Sequence, residues 1–127
     1  MPLVDIEQLQ LELAVESRWI RVLDGVDLRL EPGIIHALVG ESGSGKSITA
    51  LTLARLLPES IARRVGGTVS VDGQDVFALD RAGLQRLRGS VVSFVFQEPA
   101  SALNPVMRVG DQILEALRLH RPSDATA

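Results

Sequence analysis

The most informative part of the sequence reads Gly40-Glu41-Ser42-Gly43-Ser44-Gly45-Lys46-Ser47. It is a full match to G-x-x-x-x-G-K-[ST], the Walker A pattern of phosphate-binding loops (P-loops). Glycines let the backbone curl until several N–H groups point inward and form a nest for an anion at the start of the following helix. We expect Lys46 to reach the β- and γ-phosphates and the Ser47 hydroxyl to ligate Mg²⁺. The pattern predicts a nucleotide-binding role, against the alternative of a flexible Gly/Ser loop.

The segments on either side of this loop have the hydrophobic periods of an α/β fold. Residues 34–39 are nearly all apolar, which is typical of a strand buried on both faces. From Lys46 the apolar residues follow a helical spacing as far as Leu57, and Pro58 ends the predicted helix. We expect Gly43 and Gly45 to allow the closest approach of the backbone to a phosphate.

The first thirty residues predict strands of a different kind. Apolar and polar residues alternate over residues 9–15 and 26–30, which indicates strands with one solvated face and favours antiparallel pairing. After the helix, Gly66-Gly67 precedes a predicted short strand from Thr68 to Val71, and Asp72-Gly73 is predicted to form a turn.

The second half of the chain predicts one further strand and two helices. Asp80 is the expected cap of a short helix that ends at Gly89. Residues 91–96 read as another buried strand, and the last helix is predicted from Val109 to His120 with one apolar face.

Composition excludes several classes of protein. The formal net charge of −3 over 127 residues argues against nucleic-acid binding through bulk positive charge. The absence of cysteine excludes disulfides, thiolate metal sites and a cysteine nucleophile. No segment reaches the roughly 20 apolar residues that cross a bilayer, and the acidic N-terminus differs from a secretory signal. We therefore expect no direct membrane insertion.

The sequence around the loop resembles the ATP-binding subunits of ABC transporters. The resemblance begins in Val22-Leu23-Asp24-Gly25-Val26-Asp27-Leu28, Glu31-Pro32-Gly33 and the phosphate loop. Phe96-Gln97-Glu98-Pro99, continued to Val109-Gly110-Asp111-Gln112-Ile113, is similar to the Q-loop region of the dipeptide, oligopeptide and nickel importer branch. The resemblance extends from about Leu9 to about His120.

This resemblance implies an α/β P-loop NTPase fold with an N-terminal antiparallel β subdomain. The β subdomain and P-loop core would occupy about residues 9–97, the start of a helical subdomain about 98–120, and a frayed end 121–127. The sequence is then the N-terminal portion of an ATP-binding subunit, truncated within the helical subdomain.

The resemblance also implies ATP and Mg²⁺ as cofactors and assigns residues to them. Gln97 would sense the γ-phosphate through Mg²⁺ and the attacking water, in a loop that faces a transmembrane permease. The alternative for Gln97 is a hydrogen bond within its own loop at the exit of a strand. The resemblance implies Ser47 and Gln97 as ligands of Mg²⁺. The implied nucleotide-binding residues are Gly40, Glu41, Ser42, Gly43, Ser44, Gly45, Lys46, Ser47 and Ile48.

Trp19 is the candidate platform for adenine, since the chain has one Trp and no Tyr and the family places an aromatic residue just before the second strand. The alternative is a Trp that covers the edge of a hairpin. His36 is expected as a satisfied core imidazole, and His120 as a complement to the dipole of the last helix. Asp72 is interpreted as a turn residue rather than as a magnesium ligand.

Two family motifs do not occur in this sequence. No Leu-Ser-Gly-Gly-Gln-like motif follows the last helix, and no apolar run ends in Asp-Glu, which would supply the general base. No catalytic residue is therefore assigned, and we expect negligible ATP hydrolysis by these 127 residues alone.

The resemblance implies the ATP-binding component of an importer for peptides or similar solutes. It would pair with a second ATP-binding subunit, as a homo- or heterodimer, and with permease subunits at the cytoplasmic face of the inner membrane. The alternative is a stand-alone nucleotide-binding or interaction module without turnover. Nucleic acid is not an expected partner of either.

Overall fold

The computed structural model describes residues 1–98 and 102–120. The chain forms two compact units, Met1–Leu84 and Gln85–Ala127. The expected frayed end at residues 121–127 lies outside the described residues.

The first unit is built on an antiparallel sheet whose strands lie in the order β2-β1-β3-β4. This arrangement confirms the antiparallel pairing predicted from period-two alternation, although the strands are longer than the alternating segments. Buried apolar side chains from three of the strands form the core, including Ile6, Leu9, Leu11, Leu23 and Val69. The strands are β1 (Val4–Val15), β2 (Arg18–Leu30), β3 (Ala62–Val71) and β4 (Gln74–Asp75).

Two-residue turns join β1 to β2 and β3 to β4. The predicted turn at Asp72-Gly73 is confirmed, with φ values of 49° and 72° at the two central residues. At the other turn Glu16 and Ser17 adopt φ values of 46° and 67°. Both turns therefore have left-handed residues at both central positions, as the twist of a tight hairpin requires.

Helix α1 spans Lys46–Thr52 and is shorter than the predicted helix, which continued to Leu57. Arg55 takes a left-handed φ of 46° and ends the helix. The N–H of Leu56 donates to the carbonyl oxygen of Leu51 at 3.0 Å, and that of Arg55 donates to Thr52 at 3.0 Å. These two bonds form a Schellman motif. The left-handed position of this motif is usually a glycine, so an arginine at residue 55 does not signal the end of a helix.

The two strands predicted to be buried on both faces are not strands in the structure. Residues 34–39 and 92–96 are irregular. Ile35 is 99% exposed and Val95 is 98% exposed. A buried strand needs neighbours that pair its N–H and C=O groups. Within residues 1–98 and 102–120 all sheet pairing is antiparallel and involves only the strands β1, β2, β3 and β4. Neither segment therefore has such a neighbour.

Two further helices in the described part of the chain are α2 (Arg81–Arg86) and α3 (Val109–His120). Asp80 caps α2 as predicted, because its Oδ1 accepts a hydrogen bond from the N–H of Gly83 at 2.7 Å. The predicted end at Gly89 is wrong, since α2 passes into a π-helical turn over Leu87–Val91. The bounds predicted for α3 are confirmed. None of the helices in the described part of the chain has the length and apolarity to cross a bilayer.

Candidate nucleotide-binding site

The loop of residues 40–45 curls into the start of α1. Gly43 and Gly45 have φ values of 82° and 92°, a left-handed conformation that L side chains rarely adopt. The N–H of Ser44 donates to the carbonyl oxygen of Glu41 at 3.2 Å, which tightens the curl. Residues 40–44 are exposed, so their backbone is open to a ligand.

The side chain of Lys46 points back into this loop. Its Nζ donates to the carbonyl oxygens of Gly40 at 2.7 Å and Glu41 at 2.6 Å, and to the Ser44 hydroxyl at 3.1 Å. The loop therefore wraps around an ammonium group. A positive charge within a glycine-rich loop is an arrangement that suits a bound phosphate.

Two glycines of the loop have close neighbours at the position that a Cβ would take. A Cβ on Gly40 would stand 2.8 Å from the Ser44 hydroxyl, which can rotate away. A Cβ on Gly45 would stand 2.7 Å from Cδ2 of Leu23, a core residue of β2. A side chain at Gly45 would therefore disrupt the loop, which lies against β2. These features fit a phosphate group.

Ser47 follows Lys46 in α1 and is exposed. A hydroxyl oxygen is a suitable ligand for Mg²⁺, which keeps several waters and also binds phosphate oxygens. Among residues 1–98 and 102–120, no group of three or more His, Asp or Glu side chains is placed to hold a metal by itself. Gln97, the other predicted magnesium ligand, is an exposed residue of the second unit, and its role stays a prediction.

Trp19 lies inside β2, where it pairs with Ala14 of β1. It is 40% exposed, and the guanidinium of Arg63 lies over its ring with Cζ 4.2 Å from the centroid. Sequence reasoning did not find Arg63, because the contact joins residues that only the sheet register brings together. The adenine role of Trp19 stays a prediction.

Glu12 holds Arg63 in this position. Its Oε2 accepts hydrogen bonds from Nε of Arg63 at 3.0 Å and from an Nη at 2.8 Å. Arg21 approaches the other carboxylate oxygen at 3.5 Å. The hydrogen bonds and charge of Arg63, with the smaller effect of Arg21, lower the pKa of Glu12 below its ordinary value of 4.5.

A separate cavity of about 340 Å³ in the first unit includes no residue of the phosphate loop. Three arginines line it, and each has a partner. Arg55 pairs with Glu59, and Arg63 binds Glu12. Arg64 donates to the carbonyl oxygen of Gly67 at 2.5 Å. An anion in this cavity would have to displace those partners, so the loop remains the better phosphate site.

The predicted position is wrong for His36 and right for His120. His36 is not a core residue: it is exposed, and its Nε2 accepts a hydrogen bond from the N–H of Glu31 at 3.1 Å. The prediction fails because residues 34–39 are not a buried strand. His120 ends α3 as expected, with its ring against Gly89. Asp72 is a turn residue, as predicted.

The second unit contains the start of α3 and the segment that leads to it. The amide of Gln112 joins them: its Oε1 accepts from the N–H of Asn104 at 2.9 Å. Its Nε2 donates to the carbonyl oxygens of Asn104 and Met107, each at 3.1 Å. Gln112 therefore fixes residues 104–107 against the first turn of the helix.

The chain is similar in sequence to proteins whose names describe a role. The chain is 44% identical over 119 residues to a protein of Brucella melitensis biotype 1 whose name describes a peptide import ATP-binding protein. A Brucella abortus protein with the same description is 42% identical over 125 residues. Each alignment covers 94% of this chain, which spans 36% of the first relative's length and 37% of the second's.

The family comparison covers the phosphate loop and everything after it. Residues 23–127 match the family described as ABC transporter. This range contains the glycine-rich loop, Lys46 and Ser47, and the segment around Gln97. The chain therefore belongs to the ABC transporter family.

Proposed function

We propose that this chain is the nucleotide-binding part of an ATP-binding subunit in an importer of peptides or similar solutes. The observation that carries the proposal is the loop of residues 40–47, which curls around the ammonium of Lys46. Membership of the ABC transporter family supports the nucleotide. The names of the Brucella relatives support the peptide substrate.

Each residue of the proposed site has a defined task. The N–H groups of residues 40–47 bind phosphate oxygens, and Lys46 exchanges its contacts with loop carbonyls for contacts with the β- and γ-phosphates. Ser47 supplies a hydroxyl ligand to Mg²⁺, which neutralises phosphate charge when bound. Gln97 is proposed as a second ligand, and Ile48 completes the segment that contacts the nucleotide.

Trp19 is proposed to stack on the adenine base. The loop lies against the same strand, because Gly45 adjoins Leu23 of β2. Trp19 is 40% exposed, so part of its surface is open to a ligand.

The proposed partners follow from family membership. A second ATP-binding subunit would complete a dimer, and permease subunits would contact the loop around Gln97. The subunit would then be held at the cytoplasmic face of the membrane by the permease. The alternative, a stand-alone nucleotide-binding or interaction module, shares the same loop and differs in having neither ATP turnover nor these partners.

Calorimetric titration with MgATP and with magnesium tripolyphosphate tests the site. We expect Lys46→Ala to weaken both ligands by roughly tenfold to a hundredfold, because charged hydrogen bonds to phosphate are lost. Trp19→Ala should weaken only the binding of ATP, by roughly fivefold or more, since tripolyphosphate has no base to stack. Arg81→Ala is the control, because it removes one charge from an exposed position of α2. Equal affinities in wild type and Lys46→Ala would contradict the proposal.

A further inference from the structure

Arg63, Glu12 and Trp19 form one cluster across three neighbouring strands. Glu12 of β1 pairs with Arg63 of β3 and with Arg21 of β2. Trp19 pairs with Ala14, two residues beyond Glu12 in β1. The Arg63 guanidinium therefore passes over the central strand to reach the indole ring of Trp19.

The position of Arg63 is fixed by more than its contact with the ring. Both of its hydrogen bonds to Glu12 end on the same oxygen, at 3.0 and 2.8 Å. The Glu12 side chain is only 15% exposed and has Arg21 on its other side. An anchored guanidinium loses less conformational entropy on stacking than a mobile one.

The residue between them permits the contact. Ala14, the residue of β1 that pairs with Trp19, has a single methyl group as its side chain. The ring is covered by Arg63 yet the residue remains 40% exposed. Trp19 thus has one supported face and surface left for a ligand.

We propose that Arg63 is a positioning residue for the adenine base: its anchored guanidinium supports one face of Trp19 and orients the indole so that the remaining surface receives the base. This inference rests on the proposed nucleotide-binding function. It adds to that function a residue outside the Walker A loop and outside the segment around Gln97.

The physical basis is preorganisation. A cation over an indole face attracts the π system, and the pair keeps the ring in one orientation before the ligand arrives. The base then stacks on a ring that is already ordered, and binding costs less side-chain entropy. Without the cation the ring samples other rotamers, and part of the stacking energy is used to order it.

Three variants separate this role from simple loss of charge. Arg63→Met keeps an apolar stem without the cation, and Arg63→Lys restores a cation that can lie over the ring. Arg64→Met is the matched control, because it removes the same charge one residue away, where the guanidinium lies over Phe77 at 4.6 Å instead. The Arg63 side chain is 50% exposed, so its replacement leaves the core intact.

The experiment measures affinity for MgATP and magnesium tripolyphosphate by calorimetry, and the emission of Trp19, the only Trp in a chain without Tyr. We expect Arg63→Met to weaken the affinity for ATP by roughly threefold to tenfold and to leave the affinity for tripolyphosphate unchanged. Arg63→Lys should recover most of this loss. The emission maximum should shift in Arg63→Met and not in Arg64→Met.

Three results would overturn the inference: unchanged or tighter ATP binding by Arg63→Met, an equal loss for ATP and tripolyphosphate, or an equal effect of Arg64→Met. Tighter binding would mean that Arg63 occupies the face the base needs. If wild type binds neither ligand, the proposed function itself fails. If wild type binds both and Arg63→Met matches it, only this inference fails.

Discussion

Gly45 of the phosphate loop lies directly against Leu23 of β2, so close that a Cβ on the glycine would stand 2.7 Å from Leu23 Cδ2. Leu23 is 3% exposed and has little freedom to move aside. The contact ties the start of α1 to the sheet. It links a binding feature of the sequence to the core of the first unit.

Gly45→Ala should therefore destabilise the first unit more than an ordinary loop substitution. The new methyl group meets Leu23, and the φ of 92° disfavours any L side chain. We expect a loss of about 2–4 kcal/mol in the free energy of unfolding. Gly33→Ala is the control, since φ is +74° there and nothing lies within 4 Å of the added Cβ. Its loss should be about 1 kcal/mol, and equal losses measured by denaturant unfolding would refute the packing argument.

Ser17→Gly should stabilise the hairpin of β1 and β2. Ser17 has a φ of 67° in a turn that favours glycine. We expect the free energy of unfolding to rise by about 1 kcal/mol, since the left-handed strain disappears. Ser17→Ala keeps the Cβ and should change little. A thermal midpoint that rises equally in both variants would show that the backbone strain is not the cause.

The ion pair between Glu12 and Arg63 should make the free energy of unfolding depend on pH. Arg63 lowers the pKa of Glu12 in the folded chain below its ordinary value of 4.5. The carboxylate therefore contributes stability that is fully present above that ordinary value, and this contribution is lost as the pH falls through the lowered pKa. We expect the stability difference between wild type and Glu12→Gln to shrink from about pH 6 to about pH 3 in denaturant titrations. A difference that stays constant would contradict the assignment.

Gln112 predicts a local effect at the start of α3. Gln112→Glu keeps an acceptor for the N–H of Asn104 but loses both amide donors, whereas Gln112→Ala loses all three hydrogen bonds. We expect the Asn104 amide to exchange with solvent faster in Gln112→Ala than in Gln112→Glu. Glu115→Gln controls for the charge on α3. Equal exchange rates in the two Gln112 variants would show that the hydrogen bond to Oε1 of Gln112 does not protect the Asn104 amide.

Local chemistry predicted those parts of the fold that depend on nearby residues. The turn at Asp72-Gly73 and the helix cap at Asp80 were predicted from those residue types themselves. The helix α3 over Val109–His120 was predicted from the spacing of its apolar residues. Glu16 and Ser17 carried no turn signal, because neither is a residue that favours a positive φ. The left-handed Arg55 that ends α1 was missed for the same reason.

Features that depend on distant residues could not be predicted in this way. An apolar run such as residues 34–39 indicates burial, but a strand also needs a neighbour to pair with, and apolarity does not specify one. The contact between Arg63 and Trp19 depends on the register of three strands with several irregularities. In the candidate site, the loop pattern predicted the glycines and Lys46, while the support beneath Trp19 had no sequence signal.

The most direct test of nucleotide binding follows the backbone amide signals of the isotope-labelled chain by nuclear magnetic resonance during titration with MgATP. We expect the signals of Gly43, Gly45 and Lys46 to shift and to saturate together, while that of Gly33 stays in place as an internal reference. Titration of Lys46→Ala should require far more ligand. Loop amides that remain unshifted when wild type is titrated to high MgATP concentration would contradict the central claim that residues 40–47 bind the triphosphate.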